Sequence, residues 1–413
     1  MNSDLTAFKT ALAKGSGRAM LLMRSDDEAY IEALYDACAV NEAYDPQCEA
    51  PRAPYLARLV KASGRLEAIY LKLLEDVETG GGEEETGLWH PLSVLTELAM
   101  INPALDRDRL KAVVRAKGAE DDPLDVADLL IHLEGYPALI QALDLLAPRF
   151  EDDGWMAGGW LADLRARDGE AIEAVLETDR RTNPLLDRAL LAEQADSSSP
   201  SAPDPPMPLE ELRTALSQGE LGWKTRMQRS DAELGILGAD LTAIDDDKRV
   251  LPYLRLFSRQ PFPGDPAVLE RWIDSSVLKV RRAARVAIEK VQHPEVRRLA
   301  LDRLASGEPW ALGALARNFE ASDLPLVEST LARALDLHEA HGAALDVMDI
   351  LDRNQVEADD HHRVLETLYE LTPCSFCRES VVRRLAEATE LPRWMAEECR
   401  FDAEPDTVAL VTA

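Results

Sequence analysis

Residues 276–292, SVLKVRRAARVAIEKVQ, place Val280, Ala283, Ala284, Ala287, Ile288 and Val291 on one stripe, because residues three and four apart share a helix face. His293 then breaks to Pro294, and PEVRRLALDRLASG (294–307) carries the first-turn proline and terminal glycine that bracket a helix. The same punctuation recurs. Pro309 opens EPWALGALARNF, Pro325 opens LPLVESTLARAL, Pro373 opens TPCSFCRESVVRRLAEAT and Pro392 opens LPRWMAEECR. Proline suits the first helical turn because its missing N–H would find no partner there anyway. Openings about 15 to 19 residues apart give helix pairs of roughly 31 to 37 residues. That is the period of α-solenoids, in which each pair buries its stripe only against its neighbours. The expected fold class is all-α, an α-solenoid of divergent helical hairpins.

The N-terminal side is helical too. Ser25-Asp26-Asp27-Glu28 has the form of a capping box ahead of AYIEALYDACAV. PLDVADLLIHLEG (from Pro123) and PALIQALDLLAPR (from Pro137) read as another antiparallel pair. No segment alternates polar and apolar over a strand's length without a helical reading fitting as well or better. At roughly 150 residues per domain, 413 residues suggest two or three domains or one elongated array. The sharpest break is DSSSPSAPDPPMP (196–208), thirteen residues that cannot form a packed helix or strand. Shorter breaks fall at 79–87 and 150–159. The expected organisation is an N-terminal helical domain over 1–195, a Ser/Pro-rich linker over 196–208, and a C-terminal repeat domain over 209–413.

Apolar residues make up 46% of the chain, enough for a large core, while aromatics at 5% disfavour sandwiches and barrels. Lys and Arg number 46 against 76 Asp and Glu, a formal charge of −30. That balance argues against general nucleic-acid or anionic-membrane binding, which need a positive field. Five cysteines, Cys38, Cys48, Cys374, Cys377 and Cys399, are too sparse for a secreted disulfide scaffold and point to a reducing cytoplasm. The first 25 residues lack the long apolar stretch of a signal peptide. AMLLM is too short to span a bilayer. The expectation is a soluble, cytoplasmic chain.

Two kinds of resemblance add to this reading. DSSVLKVRRAA (274–284) resembles the core of a HEAT repeat, an Asp followed by Val-Arg and small residues, and DAEPDTV (402–408) is a weaker echo suited to a terminal cap, with Ala409 where Arg is expected. GRAMLLMRSDDEAYIEALYDACAVNEAYDPQCEAPRAPYL (17–56) resembles the opening of a family of bacterial HEAT-repeat-containing proteins of unassigned function. TPCSFCRESVVRRLAEATELPRWMAEECRFD (372–402) resembles that family's closing segment. Ala50 and Pro51 stand where the family pattern has Gly-Ser. The two stretches cover about a sixth of the chain and lie at both ends. The resemblance implies a helical-repeat fold and supplies no activity.

Four constellations carry possible chemistry. Cys374-Ser-Phe-Cys377 follows Thr372, read as N-cap, and Pro373, so both thiols lie in the first turns of a helix, whose partial positive charge favours thiolate. Cys399 is a candidate third zinc ligand and His361, beside His362, a candidate fourth. Buried structural thiols are the plainer reading, and redox activity a further one. His338-Glu-Ala-His341 presents two imidazoles at i, i+3, and Asp359-Asp360-His361-His362 reads as a helix cap with solvated histidines. Tyr44-Asp45-Pro46-Gln47-Cys48-Glu49, with Arg52, is a turn in which Asp45, Glu49 and Arg52 form a local clasp; the plainer reading is that it only fixes the first helix hairpin, the functional one that Tyr44, Asp45, Gln47 and Arg52 line a partner groove. Lys279, Arg281, Arg282, Arg285, Lys290, Arg297, Arg298 and Arg303 form a basic stretch, either a patch for phosphate or an acidic partner, or a set of ion pairs with neighbouring carboxylates.

No phosphate loop and no nucleophile elbow is present in the sequence. The leading expectation is a non-enzymatic, cofactor-free scaffold that binds another, basic protein on its concave face, adaptor- or immunity-like. Two alternatives stand beside it. One is a HEAT-like nucleic-acid-binding or DNA glycosylase-type protein using 279–303 with Trp272 and Trp310. The other is a zinc- or redox-responsive repeat protein using Cys374, Cys377 and Cys399.

Overall fold

A computed structural model describes residues 3–80, 88–120, 123–124, 126–196, 207–219, 229–388 and 391–412. Most of the linker expected over 196–208, and the Gly/Glu run after Gly80, lie outside the described residues. Every regular element among the described residues is helical. No described helix is long and apolar enough to cross a membrane. The chain forms two compact units, residues 1–201 with 392–413, and residues 202–391.

The first unit opens with α1 (Ser3–Lys14), α2 (Arg18–Leu22), α3 (Glu28–Ala39), α4 (Arg52–Ala62), α5 (Leu66–Thr79), α6 (Trp89–Ile101) and α7 (Arg107–Glu120). It continues through α8 (Ala127–Glu134), α9 (Tyr136–Leu146), α10 (Phe150–Asp153), α11 (Met156–Asp168), α12 (Ala171–Asp179) and α13 (Pro184–Asp196). Phe8, Tyr30, Leu34, Cys38 and Tyr55 share one buried cluster, and Leu139, Leu143, Trp160 and Leu164 another. The start of α3 differs from the expected capping box. Asp27 is the N-cap and accepts the Ala29 N–H at 3.1 Å, so the helix takes Glu28 as its first residue.

The second unit comprises α14 (Leu209–Gln218), α15 (Asp231–Thr242), α16 (Asp247–Phe257), α17 (Ala267–Glu270), α18 (Leu278–Ile288), α19 (Pro294–Ala305), α20 (Ala311–Leu315), α21 (Leu324–Leu331), α22 (Leu337–Arg353), α23 (Ala358–Leu371) and α24 (Ser375–Ala388). Here helices two apart in sequence meet: α14 on α16, then α18, α20, α22 and α24 in turn, with α19 on α21 and α21 on α23. The stripe read in 276–292 is what α18 buries, with Val280, Ala284, Ala287 and Ile288 fully enclosed. At about 25 cal/mol per Å² of apolar surface, each enclosed Val or Ile contributes about 2 kcal/mol relative to exposure.

The last helices, α25 (Arg393–Cys399) and α26 (Pro405–Thr412), belong to the first unit, whereas a C-terminal half running to residue 413 was expected. Polar contacts with the chain's opening residues hold them there. Arg18 Nε donates to Glu398 Oε1 at 2.7 Å, Arg58 Nη2 to the Asp402 carbonyl at 2.8 Å, and the Ala403 N–H to the Gly15 carbonyl at 2.9 Å. The echo at 402–408 therefore caps the start of the chain, not the repeat domain in which it was read.

Candidate functional site

The turn before α4 is built by its own polar residues. The Cys48 and Glu49 N–H groups donate to the Asp45 carbonyl at 3.1 and 3.0 Å, and the Gln47 N–H to Asp45 Oδ1 at 3.2 Å. Glu49 Oε1 accepts the Asp45 N–H at 2.8 Å, and Glu49 Oε2 accepts from Arg52 Nη2 at 2.7 Å. The side chains of Glu49 and Arg52 are 0% and 3% exposed. Arg52 also donates to the Ala13 carbonyl at 3.4 Å, and Tyr55 Oη to the Ser16 carbonyl at 2.9 Å. The clasp read in the sequence forms, and burial withdraws Arg52 from any partner. Tyr44 and Asp45 stay half-buried and Gln47 exposed. Gly15, at φ +64°, has no room for a side chain because a Cβ would meet the Arg52 guanidinium.

The basic stretch is largely spent on its own surroundings. Arg281 Nη1 donates to the Ser275 carbonyl at 2.8 Å. Arg285 donates to the Ile273 carbonyl at 3.2 Å, lies 3.5 Å from Glu308 and stacks 4.5 Å over the Trp310 ring. Arg297 forks onto Asp323 at 2.6 and 3.2 Å and reaches Glu320 at 3.0 Å. Arg298 pairs with Glu295 and Asp302, and Arg303 with Glu308 and Asp274. Lys279 and Arg282 are exposed. Asparagines the sequence reading passed over do related work. Asn318 Nδ2 donates to the Val291 carbonyl at 2.9 Å, and Asn354 Nδ2 to the Ala316 carbonyl at 2.9 Å. Each ties the end of one helix to the end of an earlier one.

Two carboxylates also sit inside this stack. Glu289 and Asp346 flank Gly313, on whose absent Cβ both side chains crowd. Burial pushes the Glu289 carboxyl up to about 7, and burial with the neighbouring Glu289 charge pushes Asp346 well above the usual carboxylate range.

The cysteine pair finds a different histidine from the one expected. Thr372 closes α23, its N–H donating to the Leu368 carbonyl at 2.9 Å, so it does not cap the next helix. Cys374 takes that place, and its Sγ accepts the Cys377 N–H at 3.4 Å. Cys374 and Cys377 are 2% and 3% exposed. His341, half-buried on α22, brings Nδ1 to 3.7 Å from Cys377 Sγ. The ligand atoms of His341, Cys374 and Cys377 all lie within 4.8 Å of one another. Cys399 is buried in the other unit. His361, held below the usual histidine range by burial despite nearby Asp352, is outside the group. His338 is exposed, and Asp359 and Asp360 lie in the first turn of α23 behind Glu357, which occupies the cap. One signal for His341 was in the sequence. It precedes Cys374 by 374 − 341 = 33 residues, one helix-pair period.

Among the described residues, fold and site together define an all-helical protein with a two-unit chain and a His/Cys/Cys cluster in the second unit. No family model, curated protein or solved structure matches the chain.

Proposed function

We propose that this chain is a non-enzymatic, HEAT-like helical-repeat scaffold that binds a basic protein on a concave face, in an adaptor- or immunity-like role in the cytoplasm. The observation that carries the reading is the packing of the second unit, where α16, α18, α20, α22 and α24 follow one another in one layer and α19, α21 and α23 in a second. Solenoids are built so, each hairpin shielding the next and leaving an extended curved surface. The charge of −30 steers cationic partners and speeds their encounter. Membership of the bacterial repeat family suggested by 17–56 and 372–402 fits the joining of Arg18 to Glu398, one residue from each stretch.

The arginines that would serve a nucleic-acid reader are engaged with Asp274, Glu295, Asp302, Glu308, Glu320 and Asp323. That weighs against the glycosylase-type reading. Of the residues read as lining a groove at the first unit, Gln47 is the exposed one. The test is salt dependence. A partner captured on the immobilised chain and then purified should bind at least tenfold more weakly at high than at low salt. Salt-independent binding, or retention of duplex DNA in a gel shift, would replace this reading.

A further inference from the structure

We infer that His341, Cys374 and Cys377 bind one zinc ion, which staples α22 to the start of α24 across the intervening α23. The inference does not rest on the scaffold reading, and three observations carry it. The first is the donor set, two sulfurs and one imidazole nitrogen, which suits a borderline-soft d¹⁰ cation. The second is spacing. Zinc–sulfur and zinc–nitrogen bonds of about 2.3 and 2.05 Å meeting at a tetrahedral angle set sulfur and nitrogen about 3.6 Å apart, and Cys377 Sγ lies 3.7 Å from His341 Nδ1. Cys374 Sγ completes the triangle within 4.8 Å of both. The third is the surroundings of Cys374, whose sulfur receives a backbone N–H at 3.4 Å at the head of a fourteen-residue helix. An N–H aimed at sulfur favours the thiolate that a metal requires.

The reaction balances simply. One Zn²⁺ displaces the two thiol protons to solvent and takes the Nδ1 lone pair of neutral His341. With three ligands among the described residues, the fourth tetrahedral position goes to water. Binding is therefore pH-dependent and weakens as the thiols and the imidazole are reprotonated. Because the ligands come from segments 33 residues apart, occupancy also couples to the stability of the last hairpin of the second unit.

Untagged full-length protein, reduced and stripped with a chelator, is titrated with Co²⁺ and then Zn²⁺. One equivalent of cobalt should produce intense visible bands of tetrahedral geometry and a near-ultraviolet thiolate-to-cobalt band, both bleached by one equivalent of zinc. His341→Gln should shift the visible bands and weaken affinity roughly tenfold or more. Cys374→Ser and Cys377→Ser should each diminish the charge-transfer band, and Cys48→Ser should leave it unchanged. A measurement that needs no variant accompanies these: one equivalent of zinc should release about two protons to a weakly buffered solution, as two thiols become thiolates. A weak octahedral spectrum, uptake unaffected by His341→Gln, or zinc uptake without proton release would each overturn the inference.

Discussion

Arg52 and Glu49 are charged residues taken out of water within one turn of each other, and the pair holds only while both remain. Removing one partner from a buried ion pair strands the other, typically at about 3–5 kcal/mol. Arg52→Met should therefore lower the urea midpoint of the first unit strongly, and adding Glu49→Gln to it should recover part of the loss. Gly17 is as constrained for a different reason: a Cβ there would fall on the Glu398 carbonyl, backbone that cannot swing away. Glu289 makes a pH-dependent contribution. Its folded carboxyl keeps its proton up to about 7, against 4.5 for an ordinary glutamate. The folded state thus binds more protons across that window, and stability falls as pH rises through it. Glu289→Gln should flatten this fall, so that its melting temperature relative to the parent improves between pH 5 and pH 8 in paired scans. The clasp was legible from Asp-Pro and the short spacing to Arg52, because its partners are neighbours in sequence. The partner of Glu289 was not legible, since Asp346 lies far along the chain.

Within the second unit, helix identity came from local punctuation and helix order from side chains that cross between helix ends. Pro294 at the first turn, with His293 Nδ1 accepting the Glu295 N–H at 3.2 Å, starts α19 where the sequence places it. Asn318 then spans helix ends, holding the Val291 and Ala314 carbonyls at 2.9 and 3.0 Å while its Oδ1 accepts the His293 N–H at 2.8 Å. Asn318→Ala frees these backbone groups and should cost about 1–3 kcal/mol in equilibrium unfolding. Arg297→Ala should cost at least as much, because Asp323, 5% exposed, loses the fork that neutralises it. Arg282→Ala, on an exposed side chain of the same stretch, should change stability by less than about 0.5 kcal/mol.

At the scale of the whole molecule, the chain's end is a structural part of its beginning. A chain ending at residue 391 loses the N–H that Ala403 gives to Gly15, the Glu398 partner of Arg18 and the carbonyl that Arg58 holds. Its first unit should melt earlier, and the peptide 392–413 added in trans should restore the transition; an unchanged melt would show that α25 and α26 contribute nothing. Composition and period by themselves determined that this protein is helical and acidic, because an apolar stripe every 3.6 residues and a proline at a first turn, as at Pro294 and Pro325, are local facts that need no partner. Tertiary structure alone decided that residues 392–413, Cys399 among them, join the first unit, that Cys374 and Cys377 gather with His341, and that Arg285, Arg297, Arg298 and Arg303 pair with carboxylates. Each of these depends on which distant surfaces meet, and the stripe on one helix does not encode the address of the helix that covers it.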